Sequence, residues 1–324
     1  MRLLRVELSR FVSRRAVVLL LLAATVITVA ITAMTIWNTR PVSADDLARA
    51  RAQVQQRLDD PGFQRELRTC RDDPVQYFGP SAEVADCDRN LMPRTEYYLD
   101  RAELSLDDER RSNGIAVVVM VSALMIIVGT TFAGSDWATG SISNQLLFEP
   151  RRLRLWGAKA AAALIGCTVA AAVLVVGFWV ALSVVAAARE ITTPADVQEG
   201  IRWMSARGVA LAGLGGLGGY ALTMLLRHTV ATLALLFAYA AGGEAFLEVA
   251  PIDHSARFSL TNNLFAWLRD GVRVFDESAV CLPSDGLCDQ RITISLLHGA
   301  TYLGLLLVLT LLVSALSFRR RDVP

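Results

Sequence analysis

Long apolar stretches separated by polar ones dominate the hydrophobic pattern of this chain. Uncharged apolar runs of about 18 or more residues are typical of membrane-spanning helices. Six stretches have this character, although Glu244 and Glu248 interrupt the fifth; they are residues 16–37, 114–134, 157–188 (uncharged from Ala160), 208–226, 229–249 and 293–318. The pattern predicts an all-α integral membrane protein with six transmembrane helices.

A shorter, amphipathic pattern precedes the first apolar stretch. In MRLLRVELSRFVSRR, residues 1–15, the apolar Leu4, Leu8, Phe11 and Val12 recur at helical spacing and arginines occupy the other face. Such a helix is suited to lie among lipid headgroups; the alternative is a positively charged flank without an apolar face. The following apolar run resembles an export signal ending at PVSA, but it exceeds the roughly 7–15 residues of a signal core, which favours an uncleaved anchor.

Residues 38–113 form a polar region between the first two spans. The run DDLARARAQVQQRLDD is a strong helix former that Pro61 ends, and a second helical pattern extends from Thr95 to Ser112. The region predicts a small helical domain, and it contains no catalytic pattern.

Residues 250–292 form a second polar region, before the last span. In LTNNLFAWLRDGVRVF the apolar residues Leu260, Leu264, Leu268 and Val272 follow one another at four-residue spacing. This spacing predicts one amphipathic helix, which either dips back into the membrane or lies on the surface.

The charges orient these segments. The chain is 53% hydrophobic with a mean hydropathy of +0.41 and a formal net charge of +1. In residues 1–15, 135–156 and 319–324 together, eleven arginines stand against four acids. Because short cytoplasmic loops collect Lys and Arg, we expect these segments and both termini in the cytoplasm, with residues 38–113 and 250–292 outside. A single lysine among 32 basic residues is typical of GC-rich bacterial genomes. The expected location is the bacterial cytoplasmic membrane, and nothing predicts a nucleic-acid partner.

The cysteines agree with this orientation. Cys70 and Cys87 share the first outside region, Cys281 and Cys288 share the second, and Cys167 lies within the third span. Disulfides persist in oxidising compartments, so we expect one disulfide within each outside region. The alternative is four free thiols.

A glycine-rich segment, LAGLGGLGGY, lies in the fourth span. Gly213, Gly215 and Gly218 match G-x-G-x-x-G, but that fingerprint indicates a nucleotide only after a strand and at the start of a helix. Gly215 and Gly219 also form a G-x-x-x-G pair, which is typical of close contact between transmembrane helices. We therefore expect helix packing here.

Enzyme and metal motifs are missing from the sequence. It contains no P-loop, no G-x-S-x-G and no H-E-x-x-H, and His228, His254 and His298 are scattered. We expect neither a catalytic site nor a metal site, and no cofactor bound by this chain.

The stretch GSDWATGSISNQLLFEPRRLRLWGAK, residues 134–159, predicts a short helix between the second and third spans. Ser141 can cap this helix, Ile142, Leu146 and Leu147 share its apolar face, and Pro150 after Glu149 ends it. Arginines follow at positions 151, 152 and 154. Leucines exposed to water on such a helix indicate insertion into another protein.

These residues resemble the permease subunits of ATP-binding-cassette exporters of the second type (ABC-2). The resemblance rests on an acid and an aromatic, a Gly-Ser pair, an apolar helix, a proline with basic residues and a lysine, here Asp136, Trp137, Gly140, Ser141, Leu146, Leu147, Pro150, Arg151, Arg152 and Lys159. Glu244 resembles an acidic position in the fifth span of bacterial members. Two features depart from the family: Asp136 replaces the more usual glutamate, and residues 38–113 exceed the corresponding region of minimal members.

The resemblance implies a coupling helix that docks into a separate cytoplasmic ATPase subunit, where ATP and Mg would bind. It also implies a second permease copy or paralogue that encloses the pathway with this one, and outward transport of an unidentified amphipathic, drug-like or lipid-like substrate. Membrane lipids would surround the spans. Glu244 either contacts the pathway or pairs structurally with Arg207 or Arg257. The alternative function is a non-transporting membrane sensor or assembly protein whose outside domain binds a ligand.

Overall fold

The computed structural model describes residues 2–79, 82–99, 103–249, 254–275 and 291–320. The chain divides into two compact units. Met1–Thr32 and Leu106–Pro324 form the first unit, and Ala33–Ser105 form the second.

The regular elements are mostly helices. In chain order they are α1 (Arg2–Ser13), α2 (Arg15–Asn38), α3 (Ala44–Asp59), α4 (Pro61–Asp72), α5 (Pro74–Phe78), α6 (Val84–Leu91), α7 (Leu106–Arg111), α8 (Asn113–Ala138), α9 (Ser141–Phe148), α10 (Arg152–Ala188), α11 (Ala195–Leu226), α12 (Thr229–Phe237), α13 (Gly243–Val249), α14 (Leu260–Arg269) and α15 (Leu296–Arg320), with strands β1 (Val272–Phe275) and β2 (Arg291–Ile294).

Six of the described helical segments are long and apolar enough to cross a membrane. They are Arg15–Asn38, Leu106–Ala138, Arg152–Ala188, Ala195–Leu226, Thr229–Leu247 and Leu296–Arg320. The chain is therefore a helical multi-pass membrane protein, as its hydrophobic pattern predicts. The fourth membrane-spanning helix, α11, begins at Ala195 rather than residue 208, because the polar residues 195–207 are continuous with the glycine-rich helix that follows.

α8 and α11 cross at glycines that allow their backbones to touch. A Cβ atom added to Gly129 would lie 1.9 Å from the carbonyl oxygen of Gly216, and one added to Gly219 would lie 2.4 Å from that of Ile126. At Gly215 the nearest atom is 3.0 Å away, in the Ile126 side chain. Small residues permit this approach. The closest contact therefore uses Gly216, one residue away from the predicted Gly215.

The fifth span is not one regular α-helix. α12 and α13 are joined by a π-helical turn over Ala238–Gly242, and Glu244 lies in the first turn of α13. Such turns widen the backbone locally and are often found at functional positions.

The amphipathic helix predicted to run through Val272 ends earlier. α14 stops at Arg269, Asp270 (φ 66°) and Gly271 (φ 104°) take left-handed conformations, and Val272 pairs with Ile294 in an antiparallel hairpin. The prediction was wrong beyond Arg269 because the Asp-Gly pair favours a turn over a further helical residue. The last span accordingly begins at Leu296 rather than residue 293.

The second unit is a set of short helices, α3 to α6, with a 3₁₀ turn at Thr95–Tyr98. Ser43 and Asp46 form a reciprocal capping box at the start of α3. Pro61 is the first residue of α4, so one helix ends at Asp59 and the next begins two residues later. The single helix expected from Thr95 to Ser112 is instead divided between the 3₁₀ turn and α7.

A disulfide joins α4 to α6. It links Cys70 and Cys87, both fully buried, with a Cα–Cα distance of 6.0 Å. This confirms the first predicted pair. Cys281 and Cys288 lie outside the described residues, and Cys167 is a buried free thiol.

Candidate functional site

α9 is the short helix predicted between the second and third spans. Gly140 precedes it in a left-handed conformation (φ 64°), and Glu149 follows its last residue, Phe148. Ser141 was expected to cap the helix but is its first residue, and Gly140 takes the cap position because glycine adopts positive φ without strain.

The exposed apolar surface of α9 differs from the predicted one. Ile142 is 1% exposed and packs into the protein, and Leu146 is half-buried. Leu147 and Phe148 are 80% and 90% exposed. Ile142 therefore anchors the helix, while the sequence reasoning missed Phe148, which adjoins the predicted Leu147 in the sequence.

A buried cluster of charges lies beside α9. The Nζ atom of Lys159, on α10, is 2.7 Å from Oε2 of Glu7 and 2.6 Å from Oδ2 of Asp136, and all three side chains are at most 1% exposed. Glu7 belongs to α1 and Asp136 to the last turn of α8. The cluster thus joins three helices by charge-assisted hydrogen bonds between fully buried side chains.

Two arginines extend this cluster. Arg14, between α1 and α2, forms an ion pair with Asp136 and donates a hydrogen bond to the Phe132 carbonyl oxygen at 2.7 Å. Its guanidinium also lies 5.0 Å from the centre of the Phe132 ring. Arg10 pairs with Glu7 at 3.2 Å. Each carboxylate is therefore bound by at least two cations.

Asp136 also holds α9 directly. The Ser141 hydroxyl donates to Oδ1 of Asp136 at 2.7 Å, and the Gln145 side-chain amide donates to the same atom at 3.3 Å. α9 is therefore tied to α1, α8 and α10 through one carboxylate. Removing one partner of a buried ion cluster costs about 3–5 kcal/mol.

α1 packs against the bundle more closely than an interfacial helix requires. Phe11 is 1% exposed and lies over Gly166 of α10, where an added Cβ would come 2.5 Å from its ring. Leu4 and Leu8 are half-buried, whereas Val12 is 62% exposed and does not share the predicted apolar face.

An aromatic layer lies behind the charges. Arg227 lies 4.8 Å from the ring centre of Trp137, and Phe318 meets the same ring edge-on at 6.4 Å. Tyr220 donates to the Trp156 carbonyl oxygen at 2.9 Å. The predicted Trp137 is thus a packing residue within the protein.

The basic residues after α9 are placed at the start of α10. Pro150 and Arg151 are exposed, Arg152 is half-buried as the first residue of the helix, and Arg154 lies 3.7 Å from Glu149. These residues border α9 without entering the buried cluster.

Glu244 is not part of this site. Its Oε1 atom accepts a hydrogen bond from the Thr261 backbone at 2.8 Å, so it caps the first turn of α14. The expected partner Arg207 pairs instead with Asp270 at 3.2 Å. A cavity of about 220 Å³ adjoins Glu244. The sequence left a pathway role and an ion pair open for this acid, and the capping hydrogen bond to Thr261 is a contact that neither alternative predicted.

Sequence reasoning missed Glu7, Arg14 and Gln145. A signal was available for Glu7, because it is an acid on the same helical face as Leu4, Leu8 and Phe11. Among the described residues no group of three or more His, Cys, Asp or Glu side chains could hold a metal ion.

Comparisons with protein-family models, with curated proteins and with solved structures gave no match for this chain.

Proposed function

We propose that this chain is the membrane subunit of an ABC-2 type exporter, driven by a separate ATPase subunit. One observation carries the proposal: α9 exposes Leu147 and Phe148 almost completely, yet its opposite side is fixed to the membrane helices through Ile142 and Asp136. A firmly held helix with an apolar tip is suited to docking into a pocket of another protein.

The attachments of α9 give the proposal a mechanism. The ATPase subunits bind ATP and Mg and move as they hydrolyse it, and Leu147 and Phe148 follow them. Because Asp136 bonds to Ser141, Arg14 and Lys159, a displacement of α9 is passed to α8, to the α1–α2 junction and to α10 together. Two such chains, identical or related, enclose the pathway, and the end of the bundle that bears α1 and α9 faces the cytoplasm.

The proposal is tested by adding charge to the apolar tip. We expect Leu147→Glu with Phe148→Glu to abolish co-purification of the ATPase, because two carboxylates cannot enter an apolar pocket without a large desolvation cost. The measurement is the ATPase-to-permease ratio after affinity purification of the tagged permease from its native host.

The matched control is Val84→Glu, which adds a carboxylate at an exposed apolar position of the second unit (49% exposed). This variant should retain the ATPase. An unchanged ratio in the Leu147/Phe148 variant, with normal expression and elution, would refute the assignment.

A sensor or assembly function is favoured by a different observation. Residues Ala33–Ser105 form a separate compact unit with its own buried disulfide, and a ligand-binding domain would be a compact unit of this kind. Export remains the better proposal because a ligand-binding function of that unit does not explain why α9 exposes Phe148. A permease that purifies without any ATPase would favour the sensor.

A further inference from the structure

A groove of about 610 Å³ lies between the start of α2, the end of α8 and α9. Three arginines line it, Arg10, Arg14 and Arg15, together with the carboxylate of Asp136 and with hydroxyl or amide groups that include those of Ser135 and Asn144. The apolar side chains of Ala16, Val17 and Phe148 line the remainder. The groove therefore combines hydrogen-bond donors with an apolar wall, as an amphipathic ligand requires.

The charge around the groove is positive. Three cations line it, Arg10, Arg14 and Arg15, against one lining carboxylate, Asp136. Arg10 and Arg14 are paired with Glu7 and Asp136. Arg15 is exposed, and no acid pairs with it in the part of the chain that the structure describes. The groove is thus suited to an anion with several acceptor oxygens.

The position of the groove indicates where that anion comes from. It opens where the first span begins and the second ends, which is the depth of lipid headgroups if these helices cross a bilayer. Beyond it, Leu19, Leu22 and Val26 of α2 are 66%, 55% and 66% exposed. An acyl chain can lie along this surface while its headgroup occupies the groove.

A second, larger cavity in the first unit does not have this excess of positive charge. It measures about 840 Å³, and five arginines line it, but Asp196, Glu199 and Asp270 line it as well and Asp107 pairs with two of the arginines. Its charges are nearly matched, so it does not select an anion.

We propose that the groove binds the phosphate of an anionic phospholipid, with Arg15 as its main ion-pair partner and Asn144 as a hydrogen-bond donor. Because Asn144 lies on α9, a bound lipid would bridge the start of the first span and the docking helix. The inference does not require export, since it concerns binding by the permease alone.

The test is a lipid titration of the full chain, purified in detergent and observed by native mass spectrometry with phosphatidylglycerol. Arg15→Gln should weaken binding about fivefold, because one basic residue near an anionic headgroup contributes about that factor. Asn144→Ala leaves the net charge unchanged and should weaken lipid binding by about the same factor, because it removes one hydrogen-bond donor. The control is Arg5→Gln, which removes an equal charge from exposed α1 outside the groove and should change binding less than twofold.

Several outcomes would overturn the proposal. Equal losses in Arg15→Gln and Arg5→Gln would indicate diffuse attraction to the surface, and equal binding of phosphatidylcholine would indicate apolar contact alone. Displacement by excess inorganic phosphate would identify a free anion as the ligand. Loss of the ATPase from Arg15→Gln with an unchanged lipid titration would identify a protein contact. The titration contains no ATPase, so its failure is distinguishable from failure of the export proposal.

Discussion

Asp136 is the residue on which the contacts around α9 converge. An ionised carboxylate has about four acceptor sites, and Asp136 receives donors from Arg14, Lys159, Ser141 and Gln145. Three of these donors share Oδ1, and Lys159 binds Oδ2. A buried acid with this many donors is stable as an anion and fixes the orientation of every group that binds it.

The first prediction concerns the cation of this cluster. Lys159→Met should lower the free energy of unfolding by about 3–5 kcal/mol, because it leaves two buried carboxylates beside each other with fewer cations. The control, Arg154→Met, removes a cation whose side chain is 62% exposed and 3.7 Å from Glu149, and should cost less than about 1 kcal/mol. Denaturant unfolding of the purified variants measures both. Equal stabilities would contradict the structural importance of the cluster.

The site could be predicted from the sequence only in part. The pattern around α9 identified Asp136, Ser141 and Lys159 because they lie close together along the chain. Glu7 and Arg14 lie more than a hundred residues from Asp136, and only the folding of α1 against α10 brings them to it. Periodicity within one helix cannot supply such a contact.

At the scale of elements, the contact between α8 and α11 depends on glycine. The G-x-x-x-G pair identified the correct helix and nearly the correct face. It could not identify Gly129 on α8, because the register between two helices depends on the packing of both. The backbone distance at this crossing leaves no room for a methyl group.

The second prediction tests this crossing. Gly129→Ala should destabilise the protein by about 1–3 kcal/mol or more, since its Cβ would overlap the Gly216 carbonyl and force α8 and α11 apart. Gly304→Ala on α15, where an added Cβ meets no atom within 4 Å, should leave stability unchanged or slightly raised. Thermal unfolding in one detergent compares the two. A harmless Gly129→Ala would mean that the helices cross elsewhere.

At the scale of the whole molecule, the spans were the most predictable feature. A membrane helix must satisfy its backbone hydrogen bonds internally and be apolar over about 20 residues. Local composition is therefore enough to identify it. The β1–β2 hairpin was not predicted, because Val272–Phe275 matches a helical spacing as well as a strand and its partner lies beyond residue 290. Pairing with β2, which is distant in the sequence, favours the strand over the helix.

The final prediction concerns which side of the membrane α9 faces. Arg14 is neutralised by Asp136, but Arg5, Arg15 and Arg151 are exposed at the same end of the first unit, so the excess of positive charge persists and favours the cytoplasm. Leu147→Cys should therefore react with a membrane-impermeant maleimide only after cells are permeabilised, whereas Val84→Cys should react in intact cells. The unsubstituted chain, whose Cys167 is buried, gives the background. Labelling of Leu147→Cys in intact cells would place α9 on the outer side, where no ATP-driven subunit could reach it.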